Sequence, residues 1–179
     1  ADLRAQDIRS VWPDRLRMTL LYGQEHVPLQ TQLCGTHWIP AVLGAIGAGL
    51  AMGMSLRACA EGLASVVPFD GRMQPVASVG GVTFIRDDWK APLWTLDASL
   101  DFMRQAQAHR KIIVLGEVSD AGPSKGVAYA RLAQRTQDIA EITILVGHWA
   151  ASALKARRAG RDDAVLAFSN VRDASAHLD

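Results

Sequence analysis

The sequence predicts an α/β fold built on a mostly parallel sheet flanked by helices, and three observations carry that prediction. Apolar runs at Lys111-Ile-Ile-Val-Leu115, Ile142-Thr-Ile-Leu-Val146 and Ala164 to Phe168 are separated by helical patterns, the alternation that right-handed strand–helix–strand crossovers produce. The first two runs are continuous and not alternating, as expected of strands covered on both faces. Ahead of them, Val27, Leu29, Thr31 and Leu33 share one face behind a Gly23-Gln24-Glu25 turn, which predicts a β-hairpin with Arg17 to Tyr22.

Taken in order, residues 1–16 have no clear period. Pro28 puts the second hairpin strand, or its beginning, at a sheet edge. From Trp38 to Met52 small and apolar residues occupy every side, the pattern of a helix buried all round. Gly44, Gly47 and Gly49 each cost up to about 1 kcal/mol there, a cost expected where another backbone packs close. Gly53 ends this helix and Ser55 caps a second, in which Leu56, Cys59, Ala60 and Leu63 recur at helical spacing. Pro68-Phe69-Asp70-Gly71 breaks the pattern and divides residues 1–67 from residues 68–179. Beyond it come a strand from Gly81 to Ile85, a helix from Thr95 to Ala108 with Leu96, Leu100 and Met103 inward, helices at Ser124–Gln137 and Trp149–Arg158, and a last helix from Asp173.

With 179 residues and a net charge of +1, the chain is one large domain, or one domain and part of another. It has no overall field to attract nucleic acid or a lipid surface. Cys34 and Cys59 have no histidine at ligand spacing and read as small buried hydrophobes in a reducing compartment. The charge-free stretch from Trp38 to Met54 contains Pro40 and falls short of the ~20 residues of a membrane span. A cytoplasmic location is expected.

The chemistry concentrates between Gly71 and Trp94. Asp87 and Asp88 follow a strand and stand among Arg72, Arg86 and Lys90. Open α/β sheets bind ligands at the carboxyl ends of their strands, so this is either a ligand edge or a charged strand-to-helix turn with Asp88 in solvent. Two acids could hold Mg²⁺ through water, and Lys90 could meet a phosphate or carboxylate. Glu117 and His148 follow later strands, and either share that edge or begin solvated loops. His37, before the apolar helix, either donates to an anion with free backbone N–H groups or packs in a capping turn. No Gly-x-x-x-x-Gly-Lys-Ser/Thr loop, no helix-opening Gly-x-Gly-x-x-Gly and no Gly-x-Ser-x-Gly occurs.

The order of these features resembles the back half of the Mur ligase family, most of all its D-alanyl-D-alanine-adding branch. The resemblance runs from about Arg17 onward. It rests on Gly35-Thr-His37-Trp-Ile-Pro-Ala41-Val-Leu-Gly-Ala45, the helix at Leu56-Arg-Ala-Cys-Ala-Glu-Gly-Leu63, Pro68-Phe-Asp-Gly71-Arg72, the strand into Asp87-Asp88, and Lys111-Ile-Ile-Val-Leu-Gly-Glu117. It implies that residues 1–67 are the end of a central ATPase domain and residues 68–179 a Rossmann-like carboxy-terminal domain, truncated at its end. The resemblance also implies ATP and Mg²⁺ as cofactors, with Arg72, Asp88, His37 and Asp87 on the nucleotide side and Lys90 facing phosphates and the incoming amine. The substrates it implies are a UDP-muramoyl-peptide-like acid and an amino acid or dipeptide, joined through an acyl phosphate. The chain is then expected to be a piece of a longer enzyme, inactive alone for want of a P-loop. It is also expected to self-associate through surface that absent strands would cover. The alternatives are a non-catalytic binding module and an amide ligase with a non-cell-wall substrate, the latter suggested by Trp38, Trp89 and Trp94.

Overall fold

The computed structural model describes residues 2–178. By its contacts the chain divides into two compact units. One holds Ala1–Trp89 with Gln105–Gln107, the other Lys90–Arg104 with Ala108–Asp179. Residues 68–89, which follow the break in sequence pattern, pack with the first unit.

In the first unit, β1 (Arg4–Arg9), β2 (Arg17–Tyr22) and β3 (Glu25–Gln30) form an antiparallel sheet in that order. Tyr22 pairs with Glu25, so only Gly23, in a left-handed conformation, and Gln24 make the turn. Pro28 sits in β3 at the sheet edge, where its missing N–H costs no ladder bond. Two helices cover one face: α1 (Ile39–Ala51), entered through a 3-10 turn at Thr36–Trp38, and α2 (Leu56–Ala64). Ser55 caps α2 by accepting the Ala58 N–H at 3.1 Å. Leu16, Leu20, Leu29, Val42, Ile46 and Leu56 are the centre of this core.

The expectation that α1 is buried all round is corrected. Val42 and Ile46 alone are fully buried, while Ala41, Gly44, Ala45, Ala48 and Ala51 are exposed. A side chain every fourth position meets the sheet and α2, and the opposite stripe meets nothing among the described residues. The glycines divide the same way. A Cβ at Gly49 would lie 2.6 Å from Cys59 Sγ, whereas one at Gly44 or Gly47 would meet open space.

The strand expected from Gly81 to Ile85 is also corrected. It is β5 (Thr83–Arg86), and it pairs antiparallel with β4 (Gln74–Ala77) in a two-stranded ribbon of its own. Gly80 and Gly81, both in left-handed conformations, turn the chain between them. The parallel sheet therefore lacks the strand that ends at Asp87.

That sheet lies in the second unit as β6 (Ile112–Leu115), β7 (Ile142–Val146) and β8 (Val165–Phe168), in sequential order and parallel throughout. The helices are α3 (Leu96–Gln105), α4 (Lys125–Thr136) and α5 (Val171–Leu178); the segment expected as a helix after Trp149 is a 3-10 helix at Ala150–Ala156. Central β7 is buried on both faces from Thr143 to Val146. Edge strand β6 is not, with Val114 57% exposed. Tyr129, fully buried on α4, accepts the Val118 N–H at 2.9 Å and so fixes the loop leaving β6. Buried Gln137 donates to Ala133 and Ala156 carbonyls and accepts the Arg158 N–H, tying α4 to the 3-10 segment.

Candidate functional site

The loop entering β4 and the loop leaving β5 meet in the first unit. Gly71 has φ 68°, and a Cβ there would lie 2.6 Å from Asp88 Oδ1 and 3.2 Å from the Trp89 nitrogen. Only glycine allows both that conformation and that approach. The Trp89 N–H donates to the Gly71 carbonyl at 3.2 Å, closing the two loops on each other. Asp87 Oδ1 accepts the N–H of Met73 at 3.3 Å, next to Arg72. The Pro-x-x-Gly-Arg segment and the two aspartates, far apart in the chain, are thus one structure.

Within it the two acids differ. Asp88 is exposed and paired with Arg86, whose Nη2 lies 3.1 Å from Oδ2. Arg86 had no role assigned from sequence. The signal was there, because residues two apart on an extended chain point the same way. Asp87 is half-buried and close enough to His37 to favour its imidazolium. His37 is nevertheless pushed below its ordinary pKa, because loss of water around the ring outweighs the carboxylate. The ring folds over Gly35 (φ 100°), where a Cβ would lie 2.5 Å from it, and against Trp38 at 5.3 Å between centroids. Arg72 is half-buried. Four of the residues singled out from sequence, His37, Arg72, Asp87 and Asp88, therefore belong to one unit. Lys90 opens the other and is exposed.

The parallel sheet holds a second carboxyl-end pair. His148, after β7, donates its N–H to Glu117 Oε1 at 3.4 Å, after β6. Gly147 (φ 128°) makes room, since a Cβ would lie 2.7 Å from Glu117 Cγ. Among the described residues no three His, Cys, Asp or Glu side chains could hold a metal ion. Cys34 and Cys59 are buried free thiols, and burial pushes the Cys34 thiol up. Among the described residues no helix is long and apolar enough to cross a membrane.

The family model "Mur ligase, glutamate ligase domain" matches residues 71–179, starting at the glycine that locks Asp88. The chain belongs to the Mur ligase family. It is 32% identical over 144 residues to the UDP-N-acetylmuramoyl-L-alanyl-D-glutamate–2,6-diaminopimelate ligase of Geobacillus kaustophilus, covering 80% of this chain and 29% of that protein. The same ligase of Geobacillus thermodenitrificans is 29% identical over 143 residues, with the same coverage. Among solved structures, MurF from Acinetobacter baumannii superposes with a TM-score of 0.88 at 23% identity, over 99% of this chain and 38% of that one. The MurF ligase of Thermotoga maritima, solved in complex with ADP, gives 0.68 at 12% identity, over 96% of this chain and 43% of that one. At such identities these structures speak to the fold alone. This Mur ligase chain spans 29% of the length of the curated relatives.

Proposed function

We propose that this chain is the nucleotide-facing carboxy-terminal part of an ATP-dependent, amide-forming ligase of peptidoglycan precursor synthesis, with a domain boundary at residue 68. The observation that supports the reading is the Gly71 lock, which closes the loop that carries Arg72 onto the loop that carries Asp87 and Asp88. Arg72 offers charge-assisted donors to phosphate. Asp88 accepts from ribose hydroxyls, Asp87 holds the Met73 backbone and faces His37, and Lys90 neutralises charge on the transferred phosphoryl group. Mg²⁺ would supply further neutralisation of the phosphate charge, with the nucleotide and not a cage of protein carboxylates as its main source of ligands.

In this reading ATP phosphorylates the carboxylate of a UDP-muramoyl-peptide-like acid, an amine attacks the acyl phosphate, and phosphate leaves. The protein's part is positioning and charge neutralisation. The amine is an amino acid or a dipeptide. The sequence relatives are named for diaminopimelate and the fold relatives include the D-alanyl-D-alanyl ligase of Acinetobacter baumannii, which leaves both chemistries in play. Exposed Trp89 and Trp94 favour one second reading, an amide ligase with a bulkier non-cell-wall substrate. The open stripe of α1 supports self-association of the isolated chain, and the enzyme's location would be the cytoplasm, where its nucleotide substrates are.

The test is acid- and amine-dependent phosphate release by the full-length protein. Arg72→Ala and Lys90→Ala are expected to lower it about a hundredfold while the fold persists by circular dichroism. Unchanged turnover in both variants, or ATP turnover by the 179-residue chain alone, would contradict the proposal.

A further inference from the structure

In the second unit the end of α4 and the end of the 3-10 segment at Ala150–Ala156 border a hollow of about 520 Å³, a size that suits a small molecule. Four of its lining side chains, Arg135, Lys155, Arg157 and Arg158, are cationic and one, Asp138, is anionic, while Gln134 adds an amide. α4 runs from the carboxyl end of β6 to the amino end of β7, and the 3-10 segment lies between the carboxyl end of β7 and the start of β8. Their ends therefore stand at the amino edge of the parallel sheet, opposite the edge that holds Glu117 and His148. The hollow belongs to the second unit alone and stands whether or not the Gly71 lock faces a nucleotide.

One of the cations is held in place. Arg157 is half-buried, and its Nε and Nη2 donate to the Val165 carbonyl at 2.9 and 2.7 Å. A carbonyl orients a guanidinium in this way without cancelling its charge. Arg158 pairs with Asp138 at 2.6 Å and Arg135 with Asp97 of α3 at 2.7 Å, but all four of these side chains are more than a third exposed. Exposed pairs contribute at most about 1 kcal/mol, so an incoming anion can replace either acid at little cost. Helix ends account for only part of the charge, since each carries about half a negative charge. The Ala133 and Ala156 carbonyls at those ends already accept from Gln137 Nε2, at 2.9 and 3.0 Å.

We propose that this hollow is a binding site for a small polyvalent oxyanion, one that carries two or more anionic groups. Arg157 is its fixed contact, and Lys155, Arg158 and Arg135 are its adjustable ones. Guanidinium forks and an ammonium serve phosphate and carboxylate oxygens alike, so a diphosphate and a polycarboxylate share the chemistry. A single anionic group engages only part of the cationic lining and gains less. Asp138 competes with the ligand for Arg158.

The experiment follows amide shifts of the intact ¹⁵N-labelled chain during titration with pyrophosphate, citrate or acetate at constant ionic strength. Pyrophosphate, citrate or both should give saturable shifts at residues 134–138 and 155–158, and acetate should give none at the same concentrations. Saturation by pyrophosphate alone assigns the site to phosphates, and saturation by citrate alone to carboxylates. Lys155 and Arg158 are exposed, so Lys155→Glu and Arg158→Gln should keep the fold, which amide dispersion checks. Each should weaken binding about tenfold, the worth of one charge-assisted contact. Asp138→Asn removes the competing acid and no cation, and should tighten binding about threefold. That gain is one that cations serving only the helix ends would not produce. No saturable shift with either polyvalent anion, or equal shifts with acetate, overturns the proposal. So does an affinity unmoved in both Lys155→Glu and Arg158→Gln, or weaker binding in Asp138→Asn. Shifts confined to the Gly71 lock would assign the anion to the first unit and overturn it as well.

Discussion

Two places in this chain use the same backbone device for different ends. Gly71 and Gly147 both have left-handed φ angles, and at both a Cβ would collide with a carboxylate side chain, that of Asp88 or of Glu117. In the first unit the carboxylate is paired with Arg86, and the residue after the glycine is a second arginine, Arg72. At the parallel-sheet edge Glu117 receives one backbone N–H, from His148, at 3.4 Å. The device fixes where a loop runs; in the nucleotide reading proposed above, the cations carried beside it are what suit the first loop to a phosphate. Position at the end of a strand is not enough.

The largest expected effects come from adding a Cβ at the two locks. Gly71→Ala should destabilise the first unit by at least about 2 kcal/mol, combining left-handed strain with a clash. Gly147→Ala should cost less, because the exposed Glu117 side chain can swing away whereas the Trp89 backbone 3.2 Å from the Gly71 position cannot. Gly53→Ala, at φ 86° with open space around it, isolates the strain at about 1–2 kcal/mol. Denaturant midpoints measure all three, and equal losses at Gly53 and Gly71 would remove the close approach from the account.

A second contrast lies within α1. Gly49→Ala should destabilise, since its Cβ would sit 2.6 Å from Cys59 Sγ, while Gly44→Ala, facing open space, should stabilise by up to about 1 kcal/mol. If both variants destabilise in the chain, the open stripe of α1 is covered by something, and sedentation-velocity mass then tells whether a second copy covers it. Removing the Arg86 partner should matter less still. Arg86→Ala should change stability by under about 1 kcal/mol, as exposed ion pairs do.

The smallest effect is electrostatic. Burial holds His37 below the ordinary value of about 6.5, so the unfolded chain takes up its proton first as pH falls. Stability should therefore decline on acidification through that range, until the folded ring protonates as well. Asp87→Asn removes the charge that favours the imidazolium, and NMR titration of the His37 ring should show its pKa lowered further. An upward shift would mean that the two residues do not face each other as described.

What was legible in the sequence follows from how each element is stabilised. β6, β7 and β8 could be read because runs such as Ile142–Val146 are apolar for their own reasons, whatever packs on them. The hairpin could be read because its alternation and its glycine turn agree. β4 could not, since Pro75 argues against a strand and its cross-strand pair, Val76 with Phe84, is exposed and leaves no burial pattern. The open side of α1 was illegible for the converse reason: an alanine–glycine face looks the same covered or bare. At the site, Gly71, Arg72, Asp87 and Asp88 stood out as residue types, but their closure depends on Met73 at φ 47°, a conformation that nothing in a methionine announces.

The central claim is that the cationic lock in the first unit, and not the parallel-sheet edge, faces the nucleotide. Amide shifts of the ¹⁵N-labelled chain on addition of millimolar Mg-ADP test it most directly. The account predicts shifts at Gly71–Met73 and Asp87–Trp89 that vanish in Arg72→Ala. Shifts confined to Glu117, Gly147 and His148, or shifts at the lock that survive that substitution, would contradict it.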